Sequence, residues 1–543
     1  MLKTLDGFFK NGRNKDKLNS KTVNLFDIDK FKDEDWTFKR ANTKEFTHAI
    51  FNEYPARMIP QIARKLIKKY YPYEKKDQKK PILDPFGGSG TTAVEALLQN
   101  IDSIIFDLNP FANLLEKVKT AVINPILIRK YSEKILNEIK RNKSKIFPEF
   151  FPNMNIDYWY NKNVKNELSI IIHAIEIIFP ENNIQNDIEL VNLKDFFKVC
   201  LAKTARNCSY QRSGEHKTYR IPKNKISEFD RNVNAIKYFK EIIKSFKKAS
   251  NDLYFYYRDN KISAKCIPNL ANSINLDGIE KNSIDMIITS PPYGDSQTTV
   301  AYGQFSRFPL EWLGIDHNSI IKIDSNLLGG VEKESESILT YSPLLFNIIK
   351  KILCEEVKQQ NSLIEIFFTE NEITYKKFYD LVERFKDFHL KVNLIINPEE
   401  FIQLKNDYFG NLKDLRKIIN NINRIPQLKE KKPIFPKIKI IQSRTTSVLS
   451  FFEDFYKVFQ RLFEVLDNNR KCCIVIGNRT IRKIQIPTDK IIIELGKTLG
   501  FKHIKTYYRE IPNKRMPKKN SPSNIRGKKS LTIEKESIII FNK

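Results

Sequence analysis

The chain has 543 residues, 93 of them Lys or Arg against 64 Asp or Glu, a formal net charge of +29. That length holds roughly two to four domains, and so cationic a balance favours a polyanionic partner such as nucleic acid. Six cysteines without a CxxC pair exclude a disulfide framework and a zinc module, so no metal is expected and a reducing cytoplasm is. The opening MLKTLDGFFKNGRNKDK has no apolar h-region, and the apolar stretch 168–179 is broken by His173 and Glu176, so neither export nor a membrane span is expected.

In chain order, HAIFNEYPARMIPQIARKLI, residues 48–67, reads as a loop entering an amphipathic helix. ILDPFGGSGTTAVEALLQN, residues 82–100, reads as a short strand, a glycine-rich turn and a helix opened by Thr91 and Thr92. Gly87, Gly88 and Gly90 let a ligand lie against bare backbone at a helix N-terminus. No lysine follows the last glycine and G-x-G-x-x-G is absent, so this is neither a P-loop nor a dinucleotide turn. Asp84 at the strand end suits a ligand ammonium group and would repel phosphate. The next strand, within SIIFDLNPFA, ends in Asp107, about 20 residues beyond the turn, where a carboxylate can accept both hydroxyls of a ribose. A cationic, phosphate-free nucleoside is implied, and S-adenosylmethionine has those parts.

The stretch 109–260 is far longer than a βα connection needs, and its apolar spacing is helical. A third strand is expected at Ile262–Lys265 and a fourth at Ile284–Thr289, the latter ending abruptly in the proline turn of ITSPPYGDS. Two prolines cannot continue a ladder, so this turn offers rigid carbonyl acceptors beside Ser290 and Tyr293. A second excess, 334–437, mixes helical patterns with a possible strand at Leu363–Phe368 and ends in the linker-like KEKKPIFPK, 429–437. Strands at Cys472–Ile476, His503–Tyr508 and Ser537–Phe541, with a helix at Thr488–Leu499, complete the list, and the last two strands are expected to pair antiparallel at the sheet edge.

Together these elements specify an α/β fold, a Rossmann-like, mostly parallel sheet with largely helical insertions. The expected division is 1–120, 256–333 and 438–543 for the core, with 121–255 and 334–437 inserted as rival candidates for target recognition.

The chain resembles the DNA amino-methyltransferases of restriction-modification systems, which methylate exocyclic nitrogens of cytosine or adenine. Asp84 to Gly90, DPFGGSG, looks like their cofactor turn, Asp107 like their ribose-binding acid, and Thr289 to Tyr293, TSPPY, like their catalytic motif. The 48–67 segment looks like the one that completes their cofactor pocket. The resemblance covers about half the chain, and it departs from the family pattern where KISAKCIPNL lacks an acid near the adenine ring and where TSPPY follows the cofactor turn.

It implies S-adenosylmethionine as cofactor, held by Pro55, Ala56, Asp84, Phe86, Gly87, Gly88, Gly90, Thr91 and Asp107. It implies catalysis by Ser290, Pro291, Pro292 and Tyr293, with Tyr293 stacked on a flipped base. Serine in the first motif position resembles the N4-cytosine enzymes, with N6-adenine and RNA amino-methylation as alternatives. None of the cysteines follows a proline, which speaks against C5-cytosine chemistry. The implied partners are double-stranded DNA and a restriction endonuclease acting separately. Ten Lys or Arg against one acid in 502–529 suggest phosphate contact, with Lys514, Arg515, Lys518 and Lys519 as candidates. YQRSGEHKTYR, 210–220, adds Arg212 and Lys217, and the segment after Tyr293 adds Arg307.

Overall fold

The centre of the molecule is the run Ile284–Thr289, every residue of which is buried, as happens only when helices cover both faces of a strand. It lies between Ile82–Asp84 and Leu466–Gly477, parallel to both. The computed structural model describes residues 35–74, 79–294, 301–331, 337–371, 391, 397–422, 444–511, 519–520, 530–531, 533 and 535–543. Its main sheet has seven strands: β1 (Ile82–Asp84), β2 (Ser103–Asp107), β3 (Cys266–Leu270), β4 (Ile284–Thr289), β5 (Leu466–Gly477), β6 (Lys502–Glu510) and β7 (Lys535–Asn542). They run in the order β3-β2-β1-β4-β5-β7-β6. The first five are mutually parallel, and β7 is antiparallel to both its neighbours. The last two strands thus pair antiparallel at the edge, as their sequence implies. Strand order reverses between β1 and β4, and the crevice beyond the carboxyl ends of strands at such a switch point is where open α/β sheets bind ligands.

Asp285 is the acid in the apolar β4, and its carboxylate takes the Lys80 N–H at 2.8 Å and the Arg470 Nε–H at 2.8 Å. One buried charge thereby ties the approaches to β1 and β5 to the central strand.

The helices that matter for the crevice are α1 (Pro60–Tyr70), α2 (Thr91–Leu98), α3 (Pro110–Thr120), α4 (Ile188–Asn207), α5 (Tyr302–Trp312) and α6 (Thr445–Val465). Asn109 caps α3, accepting from the Phe111 N–H at 3.0 Å, with Pro110 in the first turn where its missing N–H costs nothing. The residues between β2 and β3 fold as helices, including Pro125–Arg141, Lys162–Ile178, α4, Lys223–Asn232 and Ala235–Asp259. Their apolar faces join those of α3 and α5 in one core, whereas β4, β5 and α6 share another with Pro343–Asn371.

Two sequence expectations are corrected. The third strand starts at Cys266, because Ser263, Ala264 and Lys265 spend their N–H groups on the side chains of Asn100 and Asp102. Pro268 inside β3 is tolerated since β3 is a sheet edge. Leu363–Phe368 lies inside the helix Pro343–Asn371; a short apolar run does not by itself reveal its period. The linker-like 429–437 lies outside the described residues.

Candidate active site

β1, β2 and β4 all point their carboxyl ends at one cleft. Asp84, Phe86, Gly87, Gly88, Thr91, Asp107, Pro55, Ala56, Ser290 and Pro292 line it, so segments far apart in sequence converge there.

The glycine turn explains its own composition. Gly88 and Gly90 have φ of +56° and +78°, and Gly90 forms the N-cap of α2. A Cβ on Gly87 would strike the Glu116 carboxyl from α3, and one on Gly90 would come within 3.3 Å of the Glu116 Cα. Gly90 shapes the turn without lining the cleft. Burial pushes Glu116 well above the ordinary carboxylate range, more than the Asp107 and Asp84 charges do, so a neutral acid fills the space beneath the turn. Gly87→Ala must therefore displace Glu116 and is expected to destabilise the protein by about 1–3 kcal/mol, read as a fall in melting temperature.

Asp84 is buried and accepts from the Thr92 hydroxyl at 2.7 Å, the Thr289 hydroxyl at 2.7 Å and the Phe86 N–H at 3.1 Å. It holds β1, β4 and α2 together at the cleft floor. Asp107 accepts from the Gly88 N–H at 2.9 Å through one oxygen and from the Asn109 N–H at 2.8 Å through the other, leaving lone pairs on each. Burial raises both aspartates to about 6, against the hydrogen bonds that hold them down.

A ligand that donates hydroxyls to Asp107 needs it ionised. Affinity should therefore weaken as pH falls through about 6 and level off above about 7. Calorimetric titration with S-adenosylmethionine between pH 5 and 8 checks this, and the Asp107→Asn variant should lose that inflection.

At the end of β4, the Ser290 Oγ is buried. It sits beside the Tyr293 hydroxyl, whose pKa burial and the Glu536 carboxylate push well up against a small opposing contribution from Ser290. Pro291 and Tyr293 do not line the cleft. The Tyr293 hydroxyl donates to Glu536 Oε1 at 2.7 Å, and its ring abuts Gly477 so closely that a Cβ there would lie 2.8 Å away. Glu536 also pairs with Arg509, so β6 and β7 brace the tyrosine. Gly294, at φ +152°, passes under the buried Arg479 guanidinium.

The nucleic-acid candidates are dispersed. Arg212 is exposed and Lys217 half-buried on a loop after α4. Arg307 on α5 lies 3.8 Å from Glu311 on its own helix. Lys519 belongs to a two-residue strand paired with Ser530–Leu531, and Lys514, Arg515 and Lys518 lie outside the described residues.

Several cleft residues escaped the candidate list. Tyr54, Arg57 and Tyr302 sit in segments already singled out, and Arg57 is fixed by donating to the His48 carbonyl at 2.8 Å. Asn272 and Ser273, just past β3, also line the cleft. Asp454 on α6 and Asn326 carry no local motif. Three aspartates on the lining suit a ligand with positive charge and no phosphate.

Among the described residues no cluster of His, Cys, Asp or Glu is placed to hold a metal ion, and no helix is long and apolar enough to cross a membrane.

Comparison with known proteins agrees with the motifs. A family model described as DNA methylase matches residues 8–117. The chain is 30% identical over 520 residues to the type II methyltransferase M.MvaI of Kocuria varians, covering 93% of this chain and 92% of that protein. It is 24% identical to the type II methyltransferase M.BsoBI of Geobacillus stearothermophilus, over 85% of this chain and 80% of the relative. A type II methyltransferase of Methanocaldococcus jannaschii, M.MjaII, is also 24% identical, over 65% of this chain and 79% of the relative. No solved structure matches significantly. With both motifs at the mouth of one switch-point cleft, and a relative aligned along nearly its whole length, the chain belongs to the type II DNA methyltransferases of the N4/N6 amino-methylating family.

Proposed function

We propose that this enzyme methylates N4 of a cytosine flipped out of duplex DNA, using S-adenosylmethionine, in the cytoplasm and as the modification partner of a separate restriction endonuclease. The observation that carries the reading is that the glycine turn, Asp107, Ser290 and Pro292 line one cleft. When bound, S-adenosylmethionine supplies a methyl group made electrophilic by its sulfonium. Asp107 accepts from the ribose hydroxyls, and the bare backbone at Gly87 and Gly88 permits close approach.

An exocyclic amino nitrogen is a poor nucleophile because its lone pair is delocalised into the ring. The Ser290 Oγ and the Pro291 carbonyl would accept hydrogen bonds from its two N–H groups, which favours the pyramidal geometry that frees the lone pair for in-line attack. The base must leave the duplex to reach them. Tyr293, braced by Glu536 and packed on Gly477 just behind the cleft lining, is proposed to stack on the extruded ring once the base enters. The motif serine favours cytosine N4 over adenine N6. Against C5 chemistry stands the fact that none of the six cysteines lines the cleft, and burial pushes the thiols of Cys200, Cys208, Cys472 and Cys473 up. The insertions 121–255 and 334–437 are proposed to recognise the target, and Arg212, Lys217, Arg307 and the 514–519 run to meet phosphates.

Duplex DNA and a structured RNA of the same sequence, offered together with labelled S-adenosylmethionine, test the substrate class. Label confined to DNA is expected. Label in RNA that Ser290→Ala abolishes would instead make this an RNA amino-methyltransferase.

A further inference from the structure

The loop between α4 and the helix Lys223–Asn232 is built unlike an ordinary solvated connection. Its stems are bridged at Gln211 and Arg220, and its backbone is tightened by bonds from the Arg212 N–H to the Tyr219 carbonyl at 2.8 Å and from the Ile221 N–H to the Tyr210 carbonyl at 2.7 Å. The buried Gln211 side chain donates to the Glu215 carbonyl at 3.2 Å and to the Lys217 carbonyl at 3.3 Å, holding the loop from inside. Gly214 turns the tip at φ +81° with open space around it. What remains outside is cationic and aromatic: Arg212 is exposed and Tyr219 is 50% exposed.

This loop is locked to α5, which begins ten positions after Pro292. Arg206, near the end of α4, donates one N–H to the Glu215 carbonyl at 2.8 Å and another to the Phe305 carbonyl on α5 at 2.9 Å. Its guanidinium also lies 3.9 Å from the centre of the Phe305 ring. Burial draws its pKa down to about 10, a cost sustained by two carbonyls and an aromatic face. Tyr302, at the start of α5, lines the cleft, so loop and cleft share one support. Burial raises the carboxyl of Asp324, which accepts the Gly303 N–H at 2.9 Å, and the Lys217 charge offsets part of that rise, so the loop's charge reaches the same end of α5.

We propose that the 210–221 loop is a preformed arm that grips the phosphates flanking the target base through Arg212 and Lys217, and that Arg206 is the positioning residue fixing its distance from the catalytic turn. The proposal rests on the reading of the protein as a DNA methyltransferase and names the element that registers the duplex over the cleft.

Equilibrium binding of the full chain to duplex DNA across a salt series tests it without requiring catalysis. Arg212→Ala combined with Lys217→Ala should lower the slope of log affinity against log salt by about 2, close to 0.9 for each lost phosphate contact, and weaken binding about 10- to 100-fold at low salt. An unchanged slope in a variant whose melting temperature matches the parent overturns the assignment. Arg206→Lys keeps the charge but not the planar fork that reaches both carbonyls. It should leave the salt slope intact while lowering the rate of methyl transfer at saturating DNA; an unchanged rate overturns the positioning role. A parent protein that binds duplex DNA with the expected salt dependence yet transfers no methyl group would refute the functional reading and leave the arm standing.

Discussion

Ser290→Ala is expected to lower the rate of methyl transfer by about 10²- to 10³-fold while leaving S-adenosylmethionine affinity close to that of the parent. The Ser290 Oγ is buried at the end of β4, lines the cleft beside the Tyr293 hydroxyl, and in the proposed mechanism accepts a hydrogen bond from the substrate amino group. Removing one preorganised polar group aimed at a developing charge typically costs that much in rate. Single-turnover transfer to duplex DNA at saturating cofactor measures it. A loss that tracked weaker cofactor binding would place Ser290 in the cofactor pocket instead.

Asp107→Ala is expected to act on the other half of the cleft. It removes two charge-assisted hydrogen bonds to ribose, and bonds to charged groups are worth about 1.5–3 kcal/mol each, so cofactor affinity should fall at least about 100-fold. It also strands the Gly88 and Asn109 N–H groups that Asp107 accepts, loosening the glycine turn and the start of α3. Asp107→Asn keeps the shape and loses the charge; it should recover part of the melting temperature and little of the affinity.

The residues behind these two expectations were legible in the sequence because their chemistry is local. A glycine turn after a short strand, an acid at the next strand's end and a proline turn after an apolar run each announce backbone geometry within a few residues. What stayed illegible depends on tertiary packing. Asp454 reaches the cleft from the middle of an amphipathic helix, and nothing in its neighbours distinguishes it from a buried acid such as Glu116. Leu363–Phe368 carries too few residues to separate a strand's period from a helix's. The early placement of β3 came from reading the run from Ile262 as paired when the Ser263 and Ala264 N–H groups go to the Asn100 side chain. Tyr293 was expected over the base, and its hydroxyl is tied to Glu536 across the sheet, a partner 243 positions away that no motif contains.

The most direct measurement is the identity of the product. The purified protein is incubated with labelled S-adenosylmethionine and mixed-sequence duplex DNA, the DNA is digested to nucleosides, and the methylated nucleoside is identified by mass. N4-methylcytosine is the expected product. N6-methyladenine would keep the Ser290 acceptor chemistry and overturn the choice of base, whereas C5-methylcytosine would contradict the account outright, because that product requires a cysteine nucleophile the cleft does not contain.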